Sequence, residues 1–153
     1  VAAVNGGMDQ LVAKAAEAVK QADGLIVGSP VYYASPSGEV IAFLDRLFGV
    51  AKNDLAFKPA AAIASARRAG TSTTLDVLNK YFMINQMPVV SSCYWNMVHG
   101  SAPEEVLQDK EGVQIMETLG RNMAWLLKSI EAGKNAGVKQ PEPVDKVMTN
   151  FIR

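Results

Sequence analysis

Three short segments of this 153-residue chain concentrate side chains able to hold a ligand, and each follows an apolar run. The first is Ser29-Pro30-Val31-Tyr32-Tyr33-Ala34-Ser35-Pro36-Ser37-Gly38. Tyr32 and Tyr33 offer faces that stack on a flat ring, and the N–H groups of a tight Pro-containing turn reach ring carbonyls and nitrogens. The competing reading is that both tyrosines only cover a sheet edge. The second segment is Arg67-Arg68-Ala69-Gly70-Thr71, and the third runs from Cys93 to Val106 with Tyr94, Trp95, Asn96 and His99. Trp95 and Asn96 suit stacking on and hydrogen bonding to a ligand, across a subunit interface included. The alternative is a self-packed loop in which Asn96 satisfies backbone groups.

Much chemistry is excluded at once. His99 is the only histidine, so a multi-histidine metal site is ruled out and a Ser-His-Asp triad would rest on one loop residue. A structural or exposed role suits it better. Cys93 is the only cysteine, which rules out an internal disulfide or a cysteine-ligated cluster built from this chain alone. Because it follows an apolar run, it is expected to pack as a small hydrophobe. Asp45-Arg46 suits an internal ion pair or an oligomer contact. Fifteen basic residues balance fifteen acidic ones, so nucleic acid as a partner has no electrostatic support. No apolar run reaches the roughly 18 residues of a membrane span, and no signal peptide opens the chain. The expectation is a cytoplasmic protein with no membrane partner.

The elements that must position these residues alternate as short apolar runs and longer helical periods, the pattern of βα units on a parallel sheet. Asp9 is expected to cap a helix from Met8 to Ala22. Gly24 to Ser29 reads as a strand covered on both faces and ended by Pro30. Ser35 and Pro36 read as N-cap and first residue of a helix carrying Leu44, Leu47 and Phe48. Ala60 to Ser65 is the second strand, with Thr71 or Ser72 capping the helix that follows it. Met87 to Ser92 is the third, and Cys93 to Val106 a long loop. Asp109 is expected to cap a long helix that Gly133 stops. Residues 134–153 form a tail in which Val144, Val147, Met148 and Phe151 repeat at helical spacing, as a docking segment does.

The chain is long enough to bury a core and reads as one domain, residues 1–153. Three parallel strands are few beside the five or six of an average sheet, and one edge would be left unpaired. Either the chain continues upstream of Val1 or another subunit completes the sheet, and with Val1 rather than Met at the start the expectation is the first.

Ala22-Asp23-Gly24-Leu25-Ile26-Val27-Gly28-Ser29-Pro30-Val31-Tyr32-Tyr33, with Phe43-Leu44-Asp45-Arg46, resembles the NADPH-dependent FMN reductase and iron–sulfur flavoprotein branch of the flavodoxin-like superfamily. Tyr94-Trp95-Asn96-Met97-Val98-His99-Gly100, then Asp109, Glu111-Gly112 and Leu119-Gly120-Arg121-Asn122, is similar to that branch's last strand and helix. The resemblance implies a flavodoxin-like three-layer α/β sandwich with a parallel sheet, non-covalent FMN, and NAD(P)H as co-substrate. Family members begin with a Gly-Ser-Pro-Arg-type loop that cradles the FMN phosphate, and the iron–sulfur members carry a cysteine cluster. Neither occurs in this sequence.

By resemblance, Ser29, Pro30, Val31, Tyr32, Tyr33 and Ser35 line the isoalloxazine edge, and the loop with Arg67, Arg68 and Gly70 approaches its other side. A guanidinium there favours the reduced, negatively charged ring; surface solvation is the competing reading for both arginines. Trp95 and Asn96 complete the expected cofactor-binding set. No catalytic side chain is expected, because hydride transfer to flavin needs no protein acid or base of its own. The implied function is an FMN-dependent oxidoreductase that uses NAD(P)H to reduce a small acceptor, such as a quinone, flavin, nitroaromatic or metal ion. An electron carrier between protein partners is the alternative, and the balanced charge counts against it, since carriers steer encounter with a strong net charge. A non-catalytic assembly module is the third reading. The apolar loop and tail predict a homodimer or homotetramer.

Overall fold

A computed structural model describes residues 2–142, 144 and 147–151. Its elements are α1 (Ala2–Gln21), β1 (Leu25–Tyr32), β2 (Ser35–Pro36), α2 (Gly38–Val50), β3 (Ala60–Ala66), α3 (Thr71–Ile84), β4 (Met97–His99), α4 (Pro103–Val106) and α5 (Lys110–Asn135). The sheet runs β2-β1-β3-β4, with β1, β3 and β4 parallel and in chain order. α1, α2 and α3 pack on one face, where Val19, Leu44, Leu47, Leu78 and Phe82 meet Ala60, Ala62 and Ala64. α5 packs on the other, where Leu119 and Met123 meet Ala61. Alanine is a weak strand former, but its small side chain lets helices approach β3 from both faces. All seven residues of β3 are buried or half-buried. The result is a three-layer α/β sandwich.

β1 departs from expectation twice. It runs through Pro30 to Tyr32 instead of ending at Pro30. Leu25 N–H donates to the Pro59 carbonyl on the β3 side, so by alternation the Pro30 nitrogen faces the opposite edge and breaks no bond of the ladder. β1 is also not covered on both faces. Leu25, Val27 and Val31 face the core, whereas Ile26, Pro30 and Tyr32 are exposed. Among the described residues, no strand pairs with Leu25–Pro30 on the side away from β3.

Several boundaries move for identifiable reasons. α1 begins at Ala2, so Asp9 lies inside the helix and pairs with Arg46 of α2 instead of capping. Asp45 in turn accepts a hydrogen bond from Tyr81 of α3, so the Asp45-Arg46 pair is split between two neighbours. Ser35 and Pro36 do not start α2; they pair antiparallel with Tyr32 and Val31. The cap passes to Ser37, whose Oγ accepts the Val40 N–H at 3.3 Å. α3 is capped by Gly70 in the left-handed region (φ 95°), while Thr71 is its buried first residue.

Residues 87–92 form a single parallel bridge, Ala60 to Val89, instead of a strand. The third parallel strand is β4, inside the segment read as loop. Five residues of β3, Ala60 to Ala64, stand against nine of the partner segment, Val89 to Met97. The extra residues bulge outward and leave Cys93 exposed, not packed as a small hydrophobe. α5 is capped by Asp109 as expected but runs past Gly133 to Asn135, and the left-handed turn falls at Gly137 (φ 86°). Beyond it the described tail residues form no helix, and Val144, Val147, Met148 and Phe151 are exposed. Val1, Ile152 and Arg153 lie outside the described residues.

Candidate functional site

In an open parallel sheet, ligands sit beyond the carboxyl ends of the strands. Here those ends are Pro30–Tyr32 of β1, Ala66 of β3 and His99 of β4. A cavity of about 680 Å³ lies at the opposite end, among Lys20, Asp23, Phe57, Lys58 and Lys128. Its lining mixes both charge signs, and its Lys58 already donates to the Val19 carbonyl in the last turn of α1, at 2.6 Å.

At the carboxyl end β1 reverses in a two-residue hairpin. Tyr32 pairs with Ser35, and the two residues between them, Tyr33 and Ala34, have φ of 50° and 58°. Positive φ at both central positions is the type I′ turn, which normally takes Asn-Gly or Gly-Gly. Tyr-Ala there costs on the order of 1 kcal/mol per residue. Two contacts hold the strained tip. Ser29 is buried; its Oγ accepts the Ser37 N–H at 2.9 Å and donates to the Pro30 carbonyl at 2.8 Å. Gly70 packs so close that a β-carbon on it would lie 2.6 Å from Ala34 Cα and 2.7 Å from Val31 Cγ1. The hairpin thereby presents Tyr32, 58% exposed, and a fully exposed Tyr33.

Beside it, Arg67, Arg68 and Ala69 are exposed on the β3–α3 loop. That loop meets β4 through Gly100 N–H, which donates to the Ala66 carbonyl at 3.1 Å, and through His99 Nε2, 3.1 Å from the Arg68 carbonyl. The Asp109 carboxylate accepts Gly112 N–H at 2.9 Å and His99 N–H at 2.7 Å. These backbone donors, the Gly112 amide foremost, hold Asp109 below the usual carboxylate range against the opposing effect of partial burial.

The expected residues therefore divide. Pro30, Val31, Tyr32, Tyr33, Ser35, Arg67, Arg68 and Gly70 come together at the carboxyl ends of β1 and β3, and the Ser29 hydroxyl is turned inward to shape the hairpin. Trp95 and Asn96 sit lower, because Asn96 O accepts from Ala64 N two residues before β3 ends. Asn96 is buried with Nδ2 on the Val90 carbonyl, closing the base of the bulge, while Trp95 is exposed and packs edge-on against Tyr94. His99 takes the carboxyl-end position on the third strand. Only its spacing from Met97 within a hidden strand would have marked it.

Two exposed tyrosines and two exposed arginines at the ends of adjacent parallel strands suit a flat amphipathic ring that gains negative charge. Residues 2–102 match the family described as NADPH-dependent FMN reductase. The chain belongs to that family. It is 29% identical over 123 residues to an iron–sulfur flavoprotein of Methanocaldococcus jannaschii, covering 74% of this chain and 63% of the relative. An apo NADH:FMN oxidoreductase structure is 28% identical with a TM-score of 0.57, covering 77% of this chain and 59% of that one. A WrbA-like flavodoxin from Agrobacterium tumefaciens, 18% identical with a TM-score of 0.54, covers 75% and 88% and shows the shared flavodoxin-like fold. The chain thus spans about three-fifths of the first two proteins' length. Among the described residues, no helix is long and apolar enough to cross a membrane.

Proposed function

We propose that this chain supplies the ring-binding side of an FMN-dependent oxidoreductase in which NAD(P)H reduces a small electron acceptor. One observation carries the reading: the strained hairpin that exposes Tyr32 and Tyr33 lies against the loop that exposes Arg67 and Arg68, at the ends of adjacent parallel strands. FMN, when bound, accepts electrons from the nicotinamide and passes them on. The protein's part is binding and electrostatics. Tyr32 stacks on the ring and the 31–35 turn directs amides at its edge. Arg67 and Arg68 offset the negative charge of the reduced ring, and nicotinamide and acceptor reach it in turn. The same reading makes the active form a cytoplasmic dimer or tetramer joined through the Tyr94-Trp95 bulge, which exposes both rings; a monomer by sedimentation at micromolar concentration would remove that part.

The test is FMN titration of the parent and Tyr32→Ala, followed by NAD(P)H oxidation with and without added FMN. Loss of one stacking partner, on the order of 1 kcal/mol, should weaken FMN binding several-fold and leave the far-UV circular dichroism unchanged. Equal affinity in the variant would show that the hairpin is not the ring's wall.

A further inference from the structure

We propose that His99 is a positioning residue for the flavin, acting through Arg68 without touching the ring, an inference that rests on the FMN reading above. The geometry leaves Nε2 one role. A carbonyl oxygen can only accept, so at 3.1 Å from the Arg68 carbonyl the Nε2 nitrogen carries its proton and donates. The other end of the residue is fixed independently: its main-chain N–H donates to Asp109 at 2.7 Å, and Nδ1 stands 3.7 Å from the same oxygen, Oδ2. Asp109 is itself tied to the first turn of α5 through Gly112 N–H. A β-carbon on Gly112 would come within 2.3 Å of Asp109 Oδ2, so glycine is what allows the carboxylate to reach both amides. A continuous link thus runs from the start of α5 through Asp109 and His99 to the main chain between Arg67 and Ala69.

That link matters because the loop has little else. Its flanks are anchored, at Ala66 by Gly100 N–H and at Gly70 by close packing on Val31 and Ala34. Between them Arg67, Arg68 and Ala69 are exposed, and among the described residues the His99 bond is the one hydrogen bond made by any of the three. Two long cationic side chains on an untethered loop lose most of their directed field to motion and solvent. Tethered at the Arg68 carbonyl, the main chain that carries them stays beside the hairpin on which Gly70 packs. A positioned cation stabilises the reduced ring more than the oxidised one, so the expected signature is selective.

The experiment measures midpoint potentials and dissociation constants of FMN-loaded parent, His99→Ala, His99→Gln, His99→Asn and Arg67→Ala/Arg68→Ala. The glutamine amide reaches the Nε2 position and should restore the parent's values within about twofold, whereas the shorter asparagine should not. His99→Ala should lose about tenfold in preference for reduced over oxidised FMN, equivalent to about 30 mV for a two-electron couple. It should add nothing when the two arginines are already gone. In the flavin-free protein, trypsin should cut at Arg67 and Arg68 faster in His99→Ala than in His99→Gln. If the arginine variant shifts the preference and neither His99→Ala nor His99→Asn does, the positioning role is wrong and the arginine assignment stands. If no variant shifts it, both fall. A His99→Ala shift that persists without the arginines would mean that the imidazole acts by another route, which also overturns the proposal.

Discussion

Gly70 and Ala34 occupy each other's space: a β-carbon on Gly70 would fall 2.6 Å from the Ala34 α-carbon. With φ at 95°, Gly70 is also in a backbone region that residues with side chains rarely adopt. Gly70→Ala should therefore cost on the order of 2 kcal/mol of stability and push the hairpin away from the β3–α3 loop. Urea denaturation with a parallel FMN titration checks this, since both midpoint and affinity should fall. A midpoint within error of the parent would contradict the packing described.

The hairpin tip gives the opposite sign. Ala34 holds φ of 58° without the freedom of glycine. Ala34→Gly should raise stability by about 1 kcal/mol, as relief of a left-handed alanine does. FMN affinity should drop or stay level, because the tip that presents Tyr32 becomes less rigid. Destabilisation by this change would mean that the turn is not strained.

Tyr81 sets a stability limit at high pH. Burial first, then the hydrogen bond to and negative charge of Asp45, push its hydroxyl up to about 12. The folded state therefore holds the proton more tightly than the unfolded chain, whose value is near 10. The stabilisation is complete below pH 10 and is lost as pH rises through about 12. Tyr81→Phe should lack that part of the alkaline decline, as read by denaturation midpoints between pH 9 and about 12.

Asp109 acts at the other end of the scale. Its carboxyl is held down chiefly by the Gly112 amide, so its contribution is present above the ordinary carboxylate value of about 3.9 and disappears as pH falls below it. Asp109→Asn keeps a side-chain acceptor for the Gly112 N–H and should flatten this acid decline, while Asp109→Ala should cost about 1 kcal/mol at neutral pH. Denaturation midpoints of both variants from pH 3 to about 7 test the pair of outcomes. An unchanged acid slope in Asp109→Asn would put the titration elsewhere.

What the sequence discloses follows from how locally each feature is determined. The apolar run at Leu25–Val27, the alanine strand and the Asp109 cap depend on neighbours within a turn or two, and each was readable. The type I′ turn was not, since Tyr33-Ala34 carries no Gly or Asn to announce it, and so Ser35-Pro36 passed for a helix start. β4 was hidden because its three residues gain strand geometry from pairing with Ala64–Ala66, not from a run of their own. The same cause hid which residue stands at the carboxyl end of the third strand. Trp95 and Asn96 look more suited to a site than His99, yet register puts His99 at the carboxyl edge.

The bulge before β4 separates two jobs that share one edge of the sheet. Asn96 clasps its base through the Val90 carbonyl, and Asn122 of α5 holds the Ser91 carbonyl at 2.8 Å, so both stems are pinned while Cys93, Tyr94 and Trp95 are exposed. Lengthening a loop closed at its base costs little, about 0.6 kcal/mol per doubling. His99 is positioned by the ladder to Ala66 and by Asp109. The tip of the bulge can thus serve a contact of its own while the ladder beneath it holds the strand ends in register.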